Sequence, residues 1–344
     1  MTGAIPTTGN PVVDTMTRIF GWLGSRLPEF TPPRSAPTEP AKMTDAQLLE
    51  AIFAISKQLI DQAVGPWMMA SFDGGTINEP LFKGPMPTKP RDSVLLTFAS
   101  ADDSACLAEM RLHHCASAAA TGALRNVAES FVQLSWLLDT DDDRQRLGRT
   151  YGLIARALED RRRTIEVMRK WANRTGRTPH PWMALLEASQ QRSCADLDNL
   201  VQANKVTIEP LPPNVDLFEQ YLADEGGYLF FSQLSNAGVH AGASRAFAFY
   251  GSASEAKLDF DFQGKHGLRA YWLSVCLRLH IKLCRLVAPE LGWPDWATVL
   301  DELQARLDPL AAEADRRILT PLTEFIEKNL PEPAAASPAH EPSA

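Results

Sequence analysis

The sequence predicts an all-α fold: a multi-helix bundle with a Pro/Gly-rich irregular insertion near residues 65–100. Three observations carry that expectation. From about Ser104 onward, apolar residues recur every three or four positions, the period of an amphipathic helix. Prolines cluster in a few stretches that bound helical segments. No repeat of solenoid period interrupts the pattern.

The elements follow in order. Asn10-Pro11 reads as a cap with proline at the first helical position, and Val12, Met16, Ile19, Phe20 and Leu23 then share one face. Residues 1–27 are therefore an N-terminal amphipathic helix, which docks on its own domain or serves a protein partner or homo-oligomer through residues 11–27. Residues 28–42 are a Pro-rich, semi-rigid linker. The helical bundle domain spans 43–330. Thr44 to Gln47 fits a capping box, and Leu48, Ile52, Ile55, Leu59 and Ala63 form the apolar face that follows.

Within 65–100, Gly74-Gly75 and four prolines exclude a continuous helix, and Ser93–Phe98 reads equally as a short strand or a helix start. Beyond it, Leu124, Val127, Phe131, Leu134 and Leu138 share a face, as do Leu147, Tyr151, Ile154, Leu158 and Ile165. Helices are also expected over 182–203, 214–240, 265–288 and 295–330, the last broken or kinked at Pro321. Residues 331–344 form a disordered tail.

Composition narrows the function classes. The chain has 344 residues, 45% hydrophobic and 22% charged, which is ordinary for a globular protein with a sizeable core. A formal charge of −8 gives no reason to expect a nucleic-acid or membrane partner from overall charge. No uncharged apolar stretch is long enough to span a bilayer. The five cysteines form no CxxC pair, so reduced thiols in a cytoplasmic protein are expected, without zinc. Glu109 and His113 stand one turn apart, but no second Glu-x-x-His unit completes a di-metal bundle. The common nucleotide, hydrolase and zincin motifs are missing, so no metal or cofactor is expected.

Three features carry the candidate residues. In Tyr228–Gly242, an apolar run holds Ser232, Ser235, Asn236 and His240, polar groups that need partners if buried. Asn236 and His240 are helix neighbours, whereas Ser235 points roughly 140° away from His240, poor geometry for a nucleophile and its base. Arg125 and Glu129 are likewise one turn apart, on a polar row flanked by Val132 and Trp136. Third, Arg149, Arg156, Arg163 and Lys170 repeat every seven residues opposite an apolar face. That basic stripe suits a phosphate backbone, or is simply a solvated face.

Two of these segments resemble an uncharacterised bacterial helical family of the domain-of-unknown-function 5677 type, through Arg125-x-x-x-Glu129 and a later Tyr228…Ser235…His240 segment. The resemblance covers about residues 105–290 and implies a helical fold with a polar cluster inside the bundle. It also implies a distant likeness to HEPN ribonucleases, whose arginine precedes the histidine by four to six residues. Here Leu234, Ser235 and Asn236 occupy those positions and the nearest arginine, Arg245, follows His240.

The first reading is thus an interaction or defence-accessory protein with Arg125, Glu129, Asn236 and His240 in one polar cluster. Two alternatives remain. One is a HEPN-like ribonuclease or RNA-binding protein using His240 and the Arg149/Arg156/Arg163/Lys170 helix. The other is a small-ligand-binding helical domain under the 65–100 segment.

Overall fold

The structure, a computed structural model, describes residues 39–64, 89–114, 118–176, 181–238, 251–254, 257–260, 266–293 and 295–329. The expectations for residues 1–27, most of 28–42, 65–88, His240 and 331–344 lie outside the described residues. The described residues form an all-α fold of nine α-helices, with one short β-hairpin.

Helix α1 (Asp45–Leu59) opens on the expected capping box. Thr44 Oγ1 accepts from the Gln47 amide at 3.2 Å, and Gln47 Oε1 accepts from the Thr44 amide at 2.8 Å. Leu48, Ile52, Ile55 and Leu59 are buried, as their spacing demands.

Helix α2 (Pro90–His114) corrects the expected insertion near residues 65–100, since residues 90–100 are helical. Proline costs nothing at the first helical position, where no amide partner exists. Val94, Phe98, Ala101, Ala105, Ala108 and Leu112 then form one buried stripe at helical spacing, so Ser93–Phe98 is helix, not strand.

Helices α3 (Ala118–Leu138), α4 (Asp143–Thr175) and α5 (Pro181–Asn204) follow. Asp142 caps α4 by accepting from the Arg144 amide, and Gly176 ends it in the left-handed region at φ 61°. The single helix expected over 214–240 is two: α6 (Asn214–Tyr221) and α7 (Gly227–Gly238), joined by a 3-10 turn. Gly226 and Gly227 make the break at φ 98° and 53°. The Glu219 carboxylate fits against Gly227, where a Cβ would stand 2.6 Å from Oε2, and accepts from the Tyr228 amide at 2.8 Å.

Strands β1 (Gly251–Ser254) and β2 (Lys257–Phe260) pair antiparallel, with Gly251 opposite Phe260. Helices α8 (His266–Leu291) and α9 (Trp296–Asn329) complete the bundle, and α9 continues through Pro321 rather than breaking there.

Helix α8 is the axis of the molecule. It packs against α1, α2, α3 and α9, and seventeen of its 26 residues are buried. Its apolar faces fill the middle of the bundle, while Arg278, Lys282 and Arg285 line one outward stripe and pair with Asp315, Asp224 and Asp301. Helices α6 and α7 cover α3. Helices α4 and α5 pair with each other around a separate small core of Tyr151, Leu158, Leu197 and Val206. At 33 residues, α4 is about 50 Å long, so the α4–α5 pair forms an arm.

The base of that arm is locked by close backbone contact. Residues 206–210 cross α4 at two glycines, and the Glu209 amide donates to the Gly148 carbonyl at 3.2 Å. A Cβ on Gly152 would stand 1.9 Å from the Glu209 carbonyl oxygen. Gly152→Ala should therefore force the crossing apart and cost about 1–3 kcal/mol. Thermal unfolding of the variant measures this; an unchanged melting temperature would contradict the contact.

Candidate functional site

The predicted pair Arg125 and Glu129 forms on α3 as the spacing implies, Nε to Oε1 at 2.8 Å, with both side chains largely buried. Its surroundings come from other helices. Asn214, at the start of α6, donates to Glu129 Oε1 at 3.2 Å, and the Arg125 guanidinium lies over the Phe231 ring of α7, 5.0 Å from its centroid. Arg125 thus reaches the helix that carries Asn236. The Asn236 side chain and all of His240 are outside the described residues, so the structure brings together half of the predicted cluster. Ser235 donates to the Phe231 carbonyl at 2.8 Å within its own helix, which occupies its hydroxyl locally.

The basic stripe divides. Arg149 is a correction: it is buried rather than on a solvated strip. Its guanidinium donates to Glu209 Oε1 at 3.0 Å and to the carbonyls of Trp136 and Asp139, and stacks over the Trp136 ring. The reason is length. The near end of α4 lies against α3 and the 206–210 segment, while the same face farther out has left the bundle. There Arg156, Arg163 and Lys170 are exposed. Arg156 pairs with Asp160 at 3.3 Å and Arg163 with Glu159 at 3.0 Å. Glu159 also accepts two hydrogen bonds from Arg162, at 2.7 and 2.8 Å, and the two arginines hold its carboxyl down at about 2.

The most concentrated polar chemistry is a cluster the sequence reading passed over. His280, in the middle of α8, is wholly buried. Its Nδ1 lies 2.8 Å from Glu109 Oε1 and its Nε2 lies 2.9 Å from Asp102 Oδ1, both carboxylates coming from α2. Ser56 of α1 donates to the other Glu109 oxygen at 2.5 Å. Asp102 and Glu109 are seven residues apart, so α2 presents them on one face, two turns apart.

Burial opposes a charge on the imidazole. The Glu109 carboxylate, Cys284 and the Asp102 hydrogen bond outweigh burial and raise its pKa well above the ordinary histidine value. With both ring nitrogens facing carboxylates, only the imidazolium donates at both ends. The site is therefore a cation clamped between two anions.

Its chemical capacity is narrow. Burial pushes the nearby Cys106, Cys276 and Cys284 thiols up, away from the reactive thiolate. Both imidazole nitrogens are engaged, leaving none for a metal. Among the described residues no group of three or more His, Cys, Asp or Glu side chains is arranged to hold a metal ion.

Glu109 therefore does not work with His113, its neighbour in sequence. His113 instead stacks on Phe53, ring centroids 3.8 Å apart, with Nε2 2.8 Å from Glu50 Oε1. Burial lowers the His113 pKa, with Glu50 partly opposing it. The described cysteines are free; Cys276 and Cys284 are buried, Cys106 half-buried and Cys194 exposed.

The buried clamp makes two predictions. Glu109→Gln leaves the imidazolium one anion short, and removing one partner of a buried pair costs about 3–5 kcal/mol. The melting temperature should fall by roughly 10 °C. The pH dependence has a definite sign. The folded pKa of His280 lies above its unfolded value of about 6.5. The stabilisation is therefore complete below about pH 6.5 and declines as pH rises from there toward the folded value. The gap in melting temperature between the wild type and His280→Gln should narrow from pH 6 to 9; a widening gap would contradict a clamped cation.

No family model matches the chain, and neither a curated protein nor a solved structure matches it.

Proposed function

We propose that the chain is a helical interaction protein, of the interaction or defence-accessory kind, whose contact surface is the α4–α5 arm. The observation that supports this is apolar exposure on an otherwise charged arm. Val167 and Leu185 are 63% and 71% exposed, and Trp171 and Trp182 are 48% and 40% exposed. Val167 and Trp171 stand one turn apart on α4 and Trp182 and Leu185 one turn apart on α5, and adjoining exposed apolar groups mark association surfaces. The body supplies rigidity, since its strongest polar groups, Asp102, Glu109 and His280, are spent on each other out of reach of any substrate. Arg125 and Glu129 contribute in the same way by tying α3 to α6 and α7. Among the described residues, no helix is long and apolar enough to cross a membrane.

A second reading, RNA binding along the basic helix, is favoured by the exposure of Arg156, Arg163 and Lys170. It is weakened by the loss of Arg149 to the fold and by the acids already paired with Arg156 and Arg163.

A photo-crosslinking residue placed at Val167 in living cells tests both, with Gln304 on α9 as the control position. The interaction reading expects protein adducts from Val167 and none from Gln304. Adducts to RNA would transfer the case to the second reading, and no adduct at all would overturn the first.

A further inference from the structure

The arm's outer face has a chemical complement on the same molecule. Opposite the α5-facing residues Leu158, Ile165 and Ala172, helix α4 presents Arg163, Val167, Lys170, Trp171 and Arg174, all exposed and within roughly 100° of arc. Arg163 is shared with Glu159 of its own helix, whereas Lys170 and Arg174 have no ion pair among the described residues. This is a cationic strip with an apolar middle.

Helix α2 carries the inverse. Its outer face presents Asp92, Leu96, Ala99, Asp103 and Leu107, again on one stripe, with Leu96 and Leu107 at 42% and 45% exposed. Neither Asp92 nor Asp103 has an ion pair among the described residues. The spacings agree: Asp92 to Asp103 and Arg163 to Arg174 are each eleven residues, about 16 Å along a helix. Laid antiparallel, Asp92 meets Arg174, Leu96 meets Trp171, Ala99 meets Val167 and Asp103 meets Arg163.

We propose that the arm docks on a second copy of this chain, α4 of one copy lying antiparallel on α2 of the other and the reverse contact closing a two-fold pair. This rests on the interaction reading and names its partner. Charge supports the occupant. Residues 144–177 hold eleven basic residues against three acidic, a surplus of eight; with the chain at −8, the remainder stands at −16. The arm is attracted to the body of another copy, whereas two arms repel each other. The N-terminal segment 11–27 is the poorer occupant, because its charged residues are Asp14, Arg18 and Arg26, a net positive set. Ion pairs at such a contact are exposed and screened by salt, so the pair forms at micromolar concentration and weakens as salt rises.

The test is sedimentation velocity on the full chain from about 1 to 100 μM, at low and at about 0.5 M salt. The wild type should pass from monomer to dimer with concentration, and the transition should move to higher concentration in salt. Arg163→Glu/Arg174→Glu and Asp92→Lys/Asp103→Lys should each associate at least about tenfold more weakly while keeping the wild-type melting temperature. Mixed in equal amounts, the two variants restore every opposite-charge contact and should form the heterodimer that neither makes alone. A wild type that stays monomeric, a dimer that survives both reversals, or a mixture that fails to associate would each overturn the pairing. A monomeric chain that still crosslinks to another protein from Val167 would overturn it and leave the interaction reading intact; with neither result, both fall.

Discussion

The clamp of His280 between Asp102 and Glu109 is the interaction on which the bundle depends. Helix α8 packs against four helices, with Arg278, Lys282 and Arg285 along one outward stripe, and the uniform apolar packing of its other faces leaves its register along the axis loosely specified. A buried imidazolium removes that freedom. It has two donors, each carboxylate must be met, and a turn of slip would leave three charges in the core without partners. Ser56 extends the same constraint to α1 by closing the remaining Glu109 oxygen. Three helices are thus held in one arrangement by four side chains. Buried ions add little to net stability when replaced by good apolar packing, and their consequence here is specificity of packing.

The second polar system works at the periphery. Arg125, Glu129, Asn214 and Phe231 join α3 to α6 and α7, and Arg149 with Glu209 and Trp136 joins α4 to the end of α3. The glycines at 148 and 152 let the 206–210 backbone approach closely enough for that second junction to form. Beyond it, among the described residues, α4 packs against α5, and its outer face carries the exposed Arg163, Val167, Lys170 and Arg174. A rigid body and a projecting, amphipathic arm are the two halves of the proposed role.

What the sequence made legible was local. The Thr44 capping box and the apolar stripes of α1 and α3 depend on residues a few positions apart, and periodicity reports them directly, whereas the prolines before α2 masked its first turns. The break at Gly226-Gly227 was hidden because apolar residues continue on both sides of it. The stripe of Arg149, Arg156, Arg163 and Lys170 was read correctly as one side of a helix, but spacing cannot say where along that helix the bundle ends. His280 was missed for a related reason. Its partners lie 171 and 178 residues away, and no spacing rule connects them. The signal available was a histidine in the apolar run around Cys276 and Cys284.

The central claim is that His280 is a cation with both ring protons held. Nitrogen NMR of the imidazole at pH 8 reads this directly, because each ring nitrogen reports its own protonation. The account predicts two protonated nitrogens at a pH where an ordinary histidine is neutral. A neutral ring with one bare nitrogen at pH 8 would contradict it.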